Sequence, residues 1–103
     1  MFWNIRGLSK ISAYARLNVL VRKHKLKLLA VCEPRIHISK FEVFRMKLGF
    51  HHVLVNKEGR IAVFFTSDLS GIVLEQSDQF IAIKFTYSAL NLDFFSCVCA
   101  CRL

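Results

Sequence analysis

The sequence predicts an α+β fold, in which a mixed and mostly antiparallel sheet carries two helices on one side. Two observations lead to this prediction. The first half of the chain alternates strand-like and helix-like segments, and from His52 onward apolar residues recur with a period of two between groups of turn residues. The 103 residues include one Pro, four Gly and no linker-like stretch, so residues 1–103 are expected to form one domain.

A strand, a helix and a second strand are predicted first. Residues 2–5 form a short apolar strand, and the pattern breaks at Gly7. Apolar residues at helical spacing then predict a helix from about Ser9 to about His24. Residues 26–32 are almost continuously apolar, which is typical of a strand that is covered on both faces. A helix that connects two strands of one sheet normally makes those strands parallel.

The second helix is predicted from its start and stop signals. Ser39 and Glu42 have the spacing of a capping box, and Gly49 supplies the stop. The apolar stripe between them consists of Phe41, Phe44 and Leu48.

The rest of the chain predicts four or five antiparallel strands. Turn residues lie at positions 57–59, 68–71, 77–78 and 88–91. The clearest strand is residues 80–87, in which Ile81, Ile83, Phe85 and Tyr87 share one face. The last strand, residues 92–100, is expected to leave an open sheet edge.

Composition limits the function classes. The hydrophobic share of 54% is high for a domain of this size, which suggests that something else covers part of the surface, such as a missing carboxy-terminal half. Every apolar run is shorter than the roughly 20 residues that span a bilayer, and Arg6 interrupts the segment where a signal peptide would be apolar. We therefore expect an intracellular protein, nuclear or cytoplasmic, without a membrane partner.

The positive charge lies in the first part of the chain. Residues 1–60 hold 13 of the 15 Lys and Arg residues and three of the seven carboxylates, a net charge of +10, while the remainder sums to −2. Such a basic region attracts DNA or another nucleic acid through its phosphates. Charge alone also fits a solvated helix, so both interpretations stay open.

Two polar residues come at the carboxyl ends of the first two predicted strands. Asn4 ends the first and Glu33 follows the second. Neighbouring strands would bring the two side chains close together, and their amide and carboxylate oxygens suit Mg²⁺. Single polar residues at strand ends are also ordinary, so spacing alone does not establish a metal site.

Five segments resemble a known family. Residues 3–8 (WNIRGL), 28–34 (LLAVCEP), 41–50 (FEVFRMKLGF), 59–65 (GRIAVFF) and 95–100 (FSCVCA) are similar to the first half of deoxyribonuclease-I-like domains of the endonuclease/exonuclease/phosphatase superfamily. Within it, the nearest resemblance is to the endonuclease domains of plant LINE-type non-LTR retrotransposons.

The resemblance implies a partial four-layer α/β sandwich and a hydrolase site that is incomplete in these residues. It implies that Asn4 and Glu33 are the Mg²⁺ positions, and that Asn4 also contacts the scissile phosphate. Cys99 stands where the family usually has a phosphate-site Tyr, and a thiol is a shorter and weaker donor. The family's later Asp-x-Asn and Asp-His motifs have no counterpart, so we expect a catalytically inactive fragment.

Three functions follow from the sequence: an inactive remnant of a retrotransposon endonuclease, a basic nucleic-acid-binding module, and a Mg²⁺ nuclease that another chain completes. No small-molecule cofactor is expected. His24, His37, His51 and His52 have no catalytic spacing. Cys97, Cys99 and Cys101 would share one strand face, but their spacing does not suit a structural zinc site. The Phe residues and Trp3 are expected in the core rather than as base-stacking platforms.

Overall fold

The structure, a computed structural model, describes residues 2–4, 11–32, 37–56 and 59–99. In that part of the chain, seven strands and two α-helices occur in the order β1, α1, β2, α2, β3 to β7. Their bounds are β1 Phe2–Asn4, α1 Ile11–His24, β2 Leu28–Cys32, α2 Phe41–Leu48, β3 His52–Val55, β4 Ile61–Phe65, β5 Leu69–Gln76, β6 Phe80–Tyr87 and β7 Leu92–Cys99.

The strands form two sheets. Sheet A has the order β1-β2-β4-β3, and sheet B is the meander β5-β6-β7. Strands β1 and β2 are parallel, as predicted, and every other pairing is antiparallel. Five antiparallel strands occur from His52 onward, in agreement with the four or five predicted, and the mixed α+β class is confirmed.

Sheet A is the middle layer of the molecule. One of its faces packs on α1 and α2 through a cluster that includes Leu17, Leu29 and Phe64. The other face packs on sheet B through a cluster that includes Ile61, Ile83 and Phe85. Because both faces are covered, β2 and β4 are apolar almost throughout and lack the alternation of a half-exposed strand.

Helix α1 ends at His24 as predicted, but β2 begins two residues later than the apolar run suggests. Lys25 adopts a left-handed conformation with φ of 50°, and the Leu26 amide donates to the carbonyl of Val21. This helix-ending turn uses Leu26 and Lys27, so the sheet pairing of β2 starts at Leu28. Residues 9 and 10, which were predicted to begin the helix, lie outside the described residues.

The capping box predicted for α2 is wrong. A 3₁₀ turn at Ile38–Lys40 precedes the helix, and Lys40 occupies the N-cap position without a side-chain cap. The Ser39 hydroxyl lies 2.8 Å from Nδ1 of His37 instead, and the Glu42 carboxylate accepts from Arg45. The stop at Gly49 is confirmed, because this residue has φ of 82° and its amide donates to the helix end.

The turn predicted at residues 68–71 is shorter than expected. Strand β5 already begins at Leu69, so Gly71 lies within a strand, opposite Phe85. A Cβ atom at Gly71 would come within 3.1 Å of the Phe85 ring and 3.3 Å of Phe65. Glycine is therefore favoured here by crowding from side chains of the paired strand β6 and of sheet A, and it does not mark a turn.

Strand β6 confirms the predicted alternation, with Ile81, Ile83 and Phe85 buried between the sheets. The opposite face of sheet B is open in the part of the chain that the structure describes. There Lys84 lies in register between Ile72 and Phe95, which are 64% and 73% exposed. Phe95 is thus an exception to the prediction that the Phe residues are core. Strand β7 is an edge strand, as predicted.

Within the described ranges, none of the helices has both the length and the apolar composition to cross a membrane.

Candidate functional site

Asn4 is the last residue of β1 and pairs with Cys32, the last residue of β2. This register brings Asn4 beside the residue that precedes Glu33 in the sequence. Glu33 itself and the side chain of Asn4 lie outside the described residues. The parallel pairing that the Asn4 and Glu33 hypothesis requires is therefore present, and Cys32 is a fully buried core residue.

The same end of the molecule is joined to sheet B by Asn56. Its Nδ2 donates to the carbonyl of Ser77 at 2.9 Å, across from one sheet to the other. Its Oδ1 accepts from the amides of Arg60 at 2.8 Å and Ile61 at 3.0 Å. Asn56 is 1% exposed, the one buried polar residue among those described, and each polar atom of its side chain is bonded.

A chain of backbone pairings also brings Cys99 to this end. The Ser77 amide donates to the carbonyl of Phe80 at 2.9 Å, and Phe80 pairs with Cys99. Asn4 is linked in the same way to Ile61 through Cys32, and thus to Asn56. We call this region, made of Asn4, Cys32, Asn56, Arg60, Ser77 and Cys99, the Asn4 end.

The structure describes the three residues of the site hypothesis to different extents. Asn4 and Cys99 both lie at the Asn4 end, on the edge strands of their sheets. Glu33 follows β2 there in the sequence, outside the described residues. The side chains of Cys97 and Cys99 and all of Cys101 are also outside that part, so the shared thiol face stays a prediction.

The residues of the hypothesis suit Mg²⁺ by their donor chemistry. An amide oxygen and a carboxylate are hard donors, and Mg²⁺ usually takes one or two carboxylates with water and phosphate as its other ligands. In the described ranges no three His, Cys, Asp or Glu residues group as metal ligands. The fit therefore rests on Asn4 and Glu33 and on the pairing of Asn4 with Cys32.

Arg60 adds a positive charge at the Asn4 end that the sequence did not single out. It directly precedes Ile61, the partner of Cys32 in sheet A. The residue is half-buried, and its Nη1 is inaccessible and without a hydrogen-bond partner. Asn56 and Arg60 were missed because both lie around the β3–β4 connection, where the sequence gives only turn signals.

A cavity of about 430 Å³ lies away from the Asn4 end, between α2, β3 and the start of β5. Three of the polar side chains that line it, those of Glu42, Arg45 and His51, are bonded within the protein. Arg45 binds the Glu42 carboxylate at 2.8 Å and the carbonyl of Phe50 at 3.0 Å, and Nδ1 of His51 accepts from the Ser67 amide. Neighbouring His52 stacks on Phe65. These contacts support the prediction that His51 and His52 are structural residues.

The outer side of the helices forms a basic surface. Exposed cations on or next to α1 and α2 are Arg16, Arg22, Lys23, Lys25, Lys40 and Lys47. The two helices contribute one carboxylate, Glu42, which pairs with Arg45. Six of the 13 Lys and Arg residues of positions 1–60 are thus exposed on one layer of the molecule.

A scan against models of known protein families finds no match, and a search of curated proteins finds no similar sequence.

Proposed function

We propose that the chain corresponds to the amino-terminal part of a deoxyribonuclease-I-like domain of retrotransposon origin, and that its Asn4 end carries the metal positions of a Mg²⁺-dependent DNA endonuclease. The observation that supports this most is the parallel pairing of Asn4 with Cys32, the residue before Glu33. Layer order supports it too. Helices, sheet A and sheet B are stacked in that order, which is the order that the first three layers of a four-layer sandwich would have, and the outer face of sheet B exposes Ile72 and Phe95.

Each residue has a defined chemical task under this proposal. The Glu33 carboxylate and the Asn4 amide oxygen would hold Mg²⁺, which when bound polarises a phosphoryl oxygen of the substrate. The Asn4 amide N–H would donate to the scissile phosphate. Cys99 stands at the position of a phosphate-site Tyr and offers a weaker donor.

Catalysis by these residues alone is not expected. Hydrolysis needs a group that removes the proton of the attacking water and one that stabilises the leaving oxygen. The 103 residues hold no counterpart of the family's Asp-x-Asn and Asp-His motifs, which supply those groups. We therefore propose that the chain binds metal weakly and is inactive on its own.

Two measurements test the proposal. Thermal unfolding in millimolar Mg²⁺ or in EDTA should show stabilisation by Mg²⁺ that Glu33→Gln removes and Asp93→Asn retains, since Asp93 lies at the far end of β7. An equal Mg²⁺ response in Glu33→Gln would rule out the metal site. Supercoiled plasmid should remain intact with Mg²⁺, and nicking that Glu33→Ala abolishes would show instead that the chain is an active nuclease.

A second candidate function is nucleic-acid binding by the basic outer side of the helices, without catalysis. The specific observation is that six exposed cations share this layer with one paired carboxylate. Each phosphate contact contributes about 0.9 to the slope of log K against log salt for duplex DNA. A gel shift at two salt concentrations should therefore lose about two units of slope in the double variant Arg16→Gln, Lys23→Gln. Lys84→Gln on sheet B is the matched control and should leave the slope unchanged.

A further inference from the structure

An apolar band crosses the outer face of sheet B. Ile72 on β5 and Phe95 on β7 pair with Lys84 from either side, and they are 64% and 73% exposed. We call these three residues the sheet B band. Large apolar residues are usually buried, and a group of them exposed on one surface marks a site of contact with another molecule. The sheet B band is therefore a candidate docking surface.

Lys84 does not place an unpaired charge in the middle of this band. Its Nζ lies 3.5 Å from Oδ2 of Asp93 on the neighbouring strand. The other oxygen of that carboxylate, Oδ1, accepts from the Thr86 hydroxyl at 2.8 Å. The ammonium is thus held toward Asp93, and the methylene stem of Lys84 adds to the apolar surface between Ile72 and Phe95.

The direction of the band decides how a partner approaches. Strands β5 and β7 are the two edges of sheet B, and β6 lies between them. A strand that paired with the edge of β7 would extend the sheet sideways and leave Ile72, two strands away, in water. A partner that covers both Ile72 and Phe95 must lie over the face, as one sheet lies on another in a sandwich.

The distribution of charge favours a second copy of this chain as that partner. The chain has a net charge of +8, and six exposed cations lie on or next to α1 and α2. The helices and sheet B cover opposite faces of sheet A. If two copies meet through sheet B, their helices lie about 50 Å apart, since stacked layers are about 10 Å apart. That separation is several times the screening length of about 8 Å at physiological salt, so the two sets of cations hardly repel each other.

Other arrangements are less favourable. Two copies that met through their helices would bring the cations together. In the described part of the outer face of sheet B, the strands hold one cation and two carboxylates, Lys84, Asp93 and Glu75, so this face is close to neutral. The helices of another copy would have to lose water from their cations against the apolar band. We propose that two copies of this chain pack face to face through sheet B, with their helices on the outside.

The size of the face predicts a weak and reversible dimer. Each strand of sheet B has eight residues. Three such strands cover about 26 Å by 14 Å, or about 360 Å² on each copy. This is less than the roughly 800 Å² that each partner buries in a standard interface. We therefore expect monomers in dilute solution and dimers at high protein concentration. The inference goes beyond the proposed function and needs no metal.

Sedimentation equilibrium in EDTA, at a series of protein concentrations, measures the dissociation constant of the dimer. A two-fold contact uses the same surface on both copies and closes on itself, so we expect a monomer–dimer equilibrium without larger species. Phe95→Thr should raise the dissociation constant by at least about tenfold, because a two-fold interface contains two copies of this ring. Val19→Thr, at a residue of α1 that is 60% exposed, is the control and should leave the constant unchanged. An unchanged constant in Phe95→Thr would overturn the inference.

A second measurement uses the wild type and so does not depend on how a variant folds. In an equal mixture of ¹³C-labelled and unlabelled chain, NOEs between copies should join Ile72 or Phe95 of one copy to the sheet B band of the other. NOEs between copies that lie only along the backbone of β7 would show edge pairing, and NOEs from the band to Met46 would show head-to-tail contact. Either result, or a chain that stays monomeric at millimolar concentration, would overturn the inference.

Discussion

The side-chain amide of Asn56 donates a hydrogen bond of 2.9 Å to the backbone carbonyl of Ser77, and this contact joins sheet A to sheet B at the Asn4 end. At the other end of the sheets Lys27 forms an ion pair with Asp68 and lies 3.4 Å from the Tyr87 hydroxyl. The two contacts differ in burial. Asn56 is 1% exposed, whereas the Lys27 and Asp68 side chains are both 50% exposed.

Asn56→Ala is expected to destabilise the protein by about 2–4 kcal/mol. The change leaves the buried amide of Ile61 and the part-buried amide of Arg60 and carbonyl of Ser77 without these partners. A buried group left unpaired costs about 1–3 kcal/mol, and a part-buried one costs less. Urea unfolding followed by circular dichroism measures this. Asn18→Ala removes an acceptor that binds Arg22 at the surface and should change stability by less than about 0.5 kcal/mol. Equal effects of the two variants would show that Asn56 does not couple the sheets.

The Lys27 cluster predicts a loss of stability at alkaline pH. The hydrogen bond to Asp68, and then that to Tyr87, raise the pKa of Lys27 above its ordinary value of 10.5. A raised folded-state pKa means that the stabilisation is complete below pH 10.5 and is lost as the pH rises through the folded-state value. Unfolding free energies measured from pH 9 upward should fall less steeply for Asp68→Asn than for the wild type. Lys23→Gln should keep the wild-type slope, and an unchanged slope in Asp68→Asn would contradict the prediction.

At Gly71, Asn is expected to destabilise the protein more than Ala does, whereas at Gly49 it is expected to destabilise the protein less. Gly71→Ala meets Phe85 and Phe65 and should cost about 1–3 kcal/mol by overpacking, with Gly71→Asn worse still. Gly49 has φ of 82°, and a Cβ atom there would meet no other atom within 4 Å, so Gly49→Ala should cost about 1 kcal/mol of backbone strain. Gly49→Asn should cost less, because Asn tolerates the left-handed region. Chemical unfolding of the four variants measures these losses of stability. If the same substituent, Ala or Asn, were the less destabilising one at both positions, the prediction would be refuted.

The open face of sheet B is expected to cause self-association at high protein concentration. Ile72 and Phe95 are exposed on either side of Lys84, and β7 is an edge strand. The double variant Ile72→Thr, Phe95→Thr should shift sedimentation velocity toward the monomer while stability changes by less than about 0.5 kcal/mol per site. Met46→Thr, at a residue of α2 that is 70% exposed, is the control. Association that Met46→Thr abolishes and the double variant retains would place the contact on the helices.

The sequence predicted those parts of the fold that depend on a single local signal. The alternation in β6 and the helix stop at Gly49 were confirmed, because burial period and backbone conformation are local properties. The capping box failed because Ser39 has a competing partner in His37, which spacing does not show. Gly71 was assigned to a turn because a glycine favoured by crowding from neighbouring side chains looks the same in sequence as a turn glycine.

Only part of the candidate site could be predicted from the sequence. The predicted parallel neighbours β1 and β2 bring Asn4 to Cys32, and this required only the strand-helix-strand rule. Asn56 and Arg60 depend instead on how the β3–β4 connection meets Ser77 on the other sheet. A contact between two loops of different sheets leaves no periodic trace in the sequence.

The strand order has a consequence for how the chain reaches this structure. In sheet B every strand pairs with the next along the chain, so each pairing closes a short loop. Sheet A pairs β2 with β4, joining Cys32 to Ile61 and Leu28 to Phe65 around the whole of α2 and β3. Forming sheet A therefore has the larger entropy cost of loop closure. We expect it to be the later and slower step of folding. The Asn4 end is completed only in that step, because it includes residues from both sheets.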